Sequence, residues 1–165
     1  MVVVETPRLI LRQLTVDDAP FILALMSDAD FVANIGDRGL RSEADARGFI
    51  DAHMIPAYQR PGHGLNLVQL RTGGDAIGIC GLLYREALEE TDIGYATLPR
   101  YRGQGYTLEA AKACMTFGRE VLGLSRIVGF TRASNLASVQ LLEKLGLRYD
   151  ADVEFSEGVT TGRYV

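Results

Sequence analysis

Three β-type segments follow one another in the middle of the chain with no helical pattern between them, and this order limits the fold more than any other feature. Residues 65–70, 76–84 and 92–98 are short and rich in Val, Ile, Leu or Tyr, and they are separated by Gly73-Gly74 and by an acidic stretch, Glu86 to Glu90. Connections that short predict an antiparallel meander. Ahead of it, Arg8-Leu9-Ile10-Leu11-Arg12-Gln13-Leu14 alternates like a half-buried strand. Thr15-Val16-Asp17-Asp18 then reads as a helix entry before the apolar stripe Phe21, Ile22, Leu25, Met26, and Ser42-Glu43-Ala44-Asp45 opens a second helix limited by Pro56. After the meander, residues 107–122 take the helical period and stop at Gly123, and residues 126–131 read as a strand. Ser134 or Asn135 caps a last helix carrying Val139, Leu142 and Leu145, and two short strands near 148–151 and 158–165 finish the chain. The sum is an α+β (mixed α/β) sandwich with about four helices on one sheet.

A length of 165 residues fits one domain, 1–165, and no repeat, linker or low-complexity tract divides it. With 17 Lys and Arg against 21 Asp and Glu, the net charge of -4 lacks the basic footprint of a nucleic-acid binder, so no nucleic-acid partner is expected. Cys80 and Cys114 lie in apolar runs without paired spacing and read as reduced, buried thiols. No apolar stretch is long enough for a membrane span, and the N-terminal Met1-Val2-Val3-Val4-Glu5 has no basic leader, so a cytoplasmic protein with no membrane partner is expected, as monomer or homodimer.

The densest chemical signal is Leu98-Pro99-Arg100-Tyr101-Arg102-Gly103-Gln104-Gly105-Tyr106-Thr107, between a strand and a long helix. Glycines at 103 and 105 permit a tight turn and remove Cβ atoms from the path of an anion, while helix-start amides point outward with the positive end of the helix dipole. Arg100 and Arg102 bring cations to the same mouth. A G-x-G turn alone is weak, since the glycines also serve a plain connection. Gly105 is followed by Tyr106-Thr107 rather than Lys-Ser/Thr, and Leu108 stands where a dinucleotide fingerprint needs a third small residue, which counts against ATP and NAD.

These residues resemble the GNAT N-acetyltransferase superfamily, whose pyrophosphate loop has the form Gln/Arg-x-x-Gly-x-Gly/Ala, matched by Arg100, Gly103 and Gly105. Thr6-Pro7-Arg8-Leu9-Ile10-Leu11-Arg12, Ile93-Gly94-Tyr95, Glu109-Ala110, Asn135-Leu136-Ala137-Ser138 and Glu143-Lys144-Leu145-Gly146-Leu147 are similar to the branch of RimJ- and RimL-like ribosomal-protein N-terminal acetyltransferases. The resemblance implies a mostly antiparallel sheet of about seven strands with a V-shaped splay, and acetyl-CoA as cofactor. It places the diphosphate on the amides of Arg102, Gly103, Gln104, Gly105, Tyr106 and Thr107, with the pantetheine arm beside Tyr95 and Leu98 and near Asn135 and Ser138. Asn135 reads equally as a simple helix cap, and the two roles are compatible.

The implied reaction is attack of a neutral amine, small-molecule or peptide, on the acetyl thioester. The amides of Gly94, Tyr95 and Ala96 are the implied oxyanion donors. Asp92 and Glu90 share a strand face and are the candidate bases, although an acidic stretch of this kind also suits a solvated strand edge. An α-amine of pKa about 7.8 is already roughly a quarter neutral at about pH 7.4, whereas a Lys amine near 10.4 is only about 0.1% neutral, so an N-terminal substrate makes the base less critical. The Tyr that protonates the thiolate in many members is replaced by Leu142, and Ser138 becomes the candidate donor to the sulfur, or else a helix-start hydroxyl. The missing Tyr leaves open a noncatalytic acyl-CoA-binding module; an enzyme using a longer acyl-CoA or acetylating an antibiotic is a further alternative. His53 and His63 have no metal-ligand partner nearby and read as structural or solvent-facing, and no metal site is expected. The segment from Asp28 to Gly64, with Phe31, Asn34, Ile35 and Tyr58, is the expected acceptor wall.

Overall fold

A computed structural model describes residues 1–165. Five strands form an antiparallel sheet in the order β1 (Val2–Glu5), β2 (Leu9–Gln13), β3 (Gly64–Leu70), β4 (Ala76–Arg85), β5 (Glu90–Thr97). The expected meander is β3 to β5. Between β2 and β3 lie α1 (Ala19–Met26), α2 (Ala29–Asn34) and α3 (Glu43–Phe49), the last running on through a wide π turn, Ile50–Met54, and a 3-10 turn, Ile55–Gln59, that contains Pro56. After β5 come α4 (Tyr106–Glu120), β6 (Gly129–Thr131), α5 (Leu136–Lys144), β7 (Tyr149–Ser156) and β8 (Val159–Tyr164). The last three strands make a second antiparallel sheet, ordered β6-β8-β7.

The strand count is therefore eight, in two sheets, where the sequence suggested about seven in one. The extra strand is β1, whose run of valines lacks the alternation that marks a strand. Likewise α2 is short, and its start rests on one cap, Asp28, whose carboxylate accepts from the Phe31 amide.

Alternation along the strands sorts the core into two layers. Leu9, Leu11, Val68, Cys80, Leu82 and Ile93 pack against α4 and α5 on one face, and Leu67 and Ile79 meet Ile22, Leu25 and Ile50 of the α1–α3 layer on the other. Strand β4 is buried from Ile77 through Leu82 because helices cover both of its faces. Cys80 and Cys114 are free buried thiols with Sγ atoms 3.7 Å apart. No helix is long and apolar enough to cross a membrane.

Backbone pairing joins the two sheets at one place. The Ile93 amide donates to the Val128 carbonyl and the Val128 amide to the Thr91 carbonyl, both at 2.9 Å, and Asp92 and Val128 form a single parallel bridge. Beyond that bridge β5 and β6 pair with different partners, β4 and β8, and the sheet splays open between them.

Candidate active site

Hydrogen-bond direction in an antiparallel pair alternates residue by residue. Because Ile93 donates toward Val128, the amides of Tyr95 and Thr97 also face the gap, while those of Gly94 and Ala96 face β4. Of the three amides expected as oxyanion donors, only that of Tyr95 is turned into the gap. Gly94 and Ala96 are spent in the ladder.

At the end of β5 the chain makes a 3-10 turn, Pro99–Tyr101, and then the glycine bend. Gly103 and Gly105 have φ of +71° and +81°, the left-handed region that side chains disfavour. A Cβ at 103 would stand in open space, and one at 105 would meet only Arg8 Nη2, so the bend is an open cradle. Gly105 caps α4 without any side-chain bond. The amides of Gly103, Gln104, Gly105, Tyr106, Thr107 and Leu108 donate to no group of the protein. Those of Tyr106, Thr107 and Leu108 are the orphan donors of a helix start, and those of Gly103, Gln104 and Gly105 belong to the bend that leads into it.

The cradle is braced from the N-terminal strands. Arg8 Nη1 donates to the Gln104 carbonyl at 3.0 Å, its Nε to Glu109 Oε2 at 2.6 Å, and its guanidinium lies 4.4 Å from the Tyr106 ring centre. Thr6 Oγ1 and the Arg8 amide both donate to Glu109 Oε1. Against the upward push of burial, these bonds hold the Glu109 carboxyl below its usual range. Arg8 and Glu109 had no role in the reading of the loop itself, and no local signal links residues 101 positions apart.

Several of the groups expected to contact the cofactor have partners within the protein. The Arg102 amide closes the turn onto the Pro99 carbonyl at 3.1 Å. Its guanidinium is taken by Asp28 at 3.0 Å, by Asp30 at 2.5 Å and by the Thr97 carbonyl. Arg102 thus ties the loop to α2, and Leu108, not foreseen, supplies the final free amide. Leu98 offers no free backbone donor, since its amide bonds the Ile77 carbonyl at 2.9 Å. The Gln104 side chain folds back on the Arg100 carbonyl at 3.1 Å, and the Thr107 hydroxyl pairs with that of Thr97 at 2.7 Å. Arg100 is exposed and unpaired by any carboxylate, so it remains the cation free to reach the mouth.

On the far side of the gap, Asn135 caps α5 by accepting from the Ser138 amide at 3.3 Å. The Tyr95 phenol crosses from β5 to Ser138, 2.6 Å from its Oγ. Burial pushes this phenol up to about 12, against the pull of the Ser138 bond. Leu142, where the resemblance would place a Tyr, is fully buried, and a Cβ on Gly129 would come within 2.4 Å of its Cδ2. That position is core, packed directly on the backbone of β6.

The two candidate bases are not free. Asp92 is 3% exposed, with Oδ1 3.1 Å from Arg85 Nε and Oδ2 3.3 Å from Arg85 Nη2. Burial pushes its carboxyl above the usual range, with Arg85 opposing. Glu90 is shared by Arg126, at 3.1 Å, and Arg163, at 3.3 Å. Both side chains leave β5 on the face opposite to Tyr95, as the period of two requires. Of the expected acceptor wall, Phe31 is core and the Tyr58 hydroxyl binds the Leu14 amide and Leu65 carbonyl, so both are structural; Asn34 and Ile35 are exposed. His63 is buried against the Pro61 carbonyl and the Thr91 hydroxyl, and His53 stacks on Phe49 with ring centres 5.0 Å apart.

The site is a splayed sheet with a run of unpartnered helix-start amides at one mouth. Residues 8–148 match the family model described as acetyltransferase (GNAT) domain. The chain is 29% identical over 147 residues to YoaA of Bacillus subtilis, an uncharacterized N-acetyltransferase, covering 88% of this chain and 82% of that protein. Among solved structures, an acetyltransferase from Agrobacterium tumefaciens superposes with a TM-score of 0.82 at 25% identity over 100% of this chain and 94% of its own. The RimL ribosomal L7/L12 alpha-N-protein acetyltransferase in complex with coenzyme A superposes with a TM-score of 0.83 at 18% identity, covering 99% of this chain and 96% of its own, a likeness of fold. The chain belongs to the GNAT acetyltransferase family and is an acetyl-CoA-dependent acyltransferase with that family's fold.

Proposed function

We propose that this chain moves the acetyl group of acetyl-CoA to a primary amine, on a peptide N-terminus or a small molecule, by direct attack in a ternary complex, and that it stands in the RimJ/RimL-like branch. The observation that carries this reading is the run of unpartnered amides from Gly103 to Leu108, at the mouth of a gap whose β5 edge, at Tyr95 and Thr97, is also without strand partners.

The residues present fit the cofactor. The cradle amides and Arg100 would take the diphosphate, and the Tyr95 carbonyl and Thr97 amide would pair with the amides of the pantetheine arm, with Asn135 beside it. When bound, acetyl-CoA supplies an activated thioester. The Tyr95 amide is the donor for the oxyanion that develops on the carbonyl.

No side chain on the acidic face of β5 is assigned as base, since Asp92 and Glu90 are held by arginines. An amine that is already partly neutral near pH 7.4 suits this site, which favours an α-amine over a Lys side chain. The paired but unbridged thiols of Cys80 and Cys114 suit a reducing, cytoplasmic setting.

The test is calorimetry with coenzyme A, followed by thiol release on mixing acetyl-CoA with peptides bearing free α-amines and with small amines. Gly103→Asp adds a carboxylate to the cradle at a φ that side chains disfavour, and CoA affinity falls by about 100-fold. Undiminished binding by that variant, or none by the parent protein, overturns the reading.

A further inference from the structure

We propose that Tyr95 is a positioning residue for departure of the thiolate: its phenol holds Ser138 Oγ as an acceptor and so leaves the one hydroxyl proton of Ser138 free to meet the sulfur. This inference rests on the acetyl-transfer reading above and deepens it by giving the leaving group a partner.

The direction of the short bond follows from chemistry. The Tyr95 hydroxyl is 2.6 Å from Ser138 Oγ, whereas the Ser138 carbonyl, at 3.5 Å, is too distant to hold the phenol's one proton. A phenol is also a much stronger acid than an alkyl alcohol, so the phenol donates and the serine oxygen accepts. In the reverse arrangement Ser138 would spend its only proton on Tyr95. A serine in the first turn of a helix has competing local acceptors for that proton, and occupying its oxygen from outside the helix restricts how the hydroxyl turns. Ser138 is held from two directions, its amide by Asn135 Oδ1 at 3.3 Å and its oxygen by Tyr95.

Neither hydroxyl changes its protonation state. The amine nitrogen forms its bond to the carbonyl carbon, the C–S bond breaks with its electron pair passing to sulfur, and the surplus proton of the amine goes to water. The thiolate accepts a hydrogen bond from Ser138 and takes its proton from water after release, as a thiol of pKa about 8.5 readily does. Burial keeps the phenol protonated throughout, its value pushed up to about 12.

The experiment is a double-mutant cycle read by kinetics with acetyl-CoA and a short peptide bearing a free α-amine, with coenzyme A calorimetry alongside. Tyr95→Phe keeps the ring and its packing, and kcat falls about fivefold, the value of one neutral hydrogen bond. Ser138→Ala removes a bond to an anion, and kcat falls about 20-fold. In both, KM for acetyl-CoA and CoA affinity stay within about twofold, because the lost interaction belongs to the transition state. Combined with Ser138→Ala, the Tyr95→Phe change costs nothing more. Full kcat in Tyr95→Phe overturns the proposal, as does the same fivefold loss in the Ser138→Ala background, since that would make Tyr95 a packing residue. Failure of the parent protein to bind coenzyme A would instead overturn the acetyl-transfer reading.

Discussion

The two faces of β5 carry polar side chains of opposite kinds. On one face Glu90 and Asp92 sit among Arg85, Arg126 and Arg163, every carboxylate engaged. On the other, Tyr95 reaches Ser138 and Thr97 reaches Thr107 through neutral hydroxyl pairs. The charged face stands at the bridge where the two sheets join, and the hydroxyl face lines the stretch where they part. The difference teaches where to look for chemistry in this fold: the charges nearest the gap fasten the sheet together, while the polarity turned into the gap comes from backbone amides and hydroxyls.

The largest effect that would break this contrast comes from removing the partner of the buried carboxylate. Asp92 has a raised pKa in the folded protein, so its protonated form is the favoured one there. Its contribution to stability is complete below the unfolded value, about 3.9, and is lost as pH rises through the folded value. Arg85 limits that loss, and Arg85→Met moves the folded value higher still. We expect Arg85→Met to destabilise the protein by about 3 kcal/mol at pH 8 in urea unfolding, the usual cost of stranding a buried charge, and by less at pH 5. An equal loss at both pH values would mean that Arg85 acts by packing on Phe155, whose ring centre lies 4.7 Å from its guanidinium.

Much of this arrangement was legible in the sequence, and the remainder had a common cause. Local periodicity placed Glu90 and Asp92 on one face, and the spacing of Gly103 and Gly105 between a strand and a helix marked the bend whose amides lack partners. The partners were not legible. Glu90 meets arginines 36 and 73 positions away, and Arg102 meets Asp30 and Asp28 at separations of 72 and 74. Nothing local distinguishes an acid free to act as a base from one already claimed by a distant cation. The same holds for Arg102, expected at the diphosphate, whose ion pairs with Asp28 and Asp30 no local pattern announces. The splay, by contrast, came from the family resemblance alone: it depends on one bridge at Val128, and no composition or period marks where pairing stops.

A smaller effect sharpens the comparison by asking whether Asp92 does more than fasten the sheet. Asp92→Asn leaves Arg85 unpaired, but that side chain is 34% exposed and can turn to water, so the cost in stability is about 1 kcal/mol. With a free α-amine as acceptor, the rate of both parent and variant should rise with pH to a plateau set by the acceptor's own amine, near 7.8. A loss of more than about 100-fold in kcat with CoA affinity unchanged would reinstate Asp92 as the base. It would also mean that Arg85 releases the carboxylate once the acceptor is bound.

The smallest effect belongs to Glu90. Its carboxylate joins β5 to Arg126, ahead of β6, and to Arg163 on β8, so it links the two sheets just before the bridge at Asp92. Arg126 is more than half exposed, and Arg163 keeps a second partner in Asp150, so neither cation is stranded when Glu90 becomes neutral. Glu90→Gln should cost no more than about 1 kcal/mol, a loss that shrinks in high salt, because both partner cations reach water and the amide keeps a hydrogen-bond acceptor for them. Its kcat, and its affinity for coenzyme A, should match the parent's. A rate that falls in this variant while Asp92→Asn stays active would make Glu90 the proton acceptor, and the charged face of β5 would then belong to the reaction as much as to the sheet.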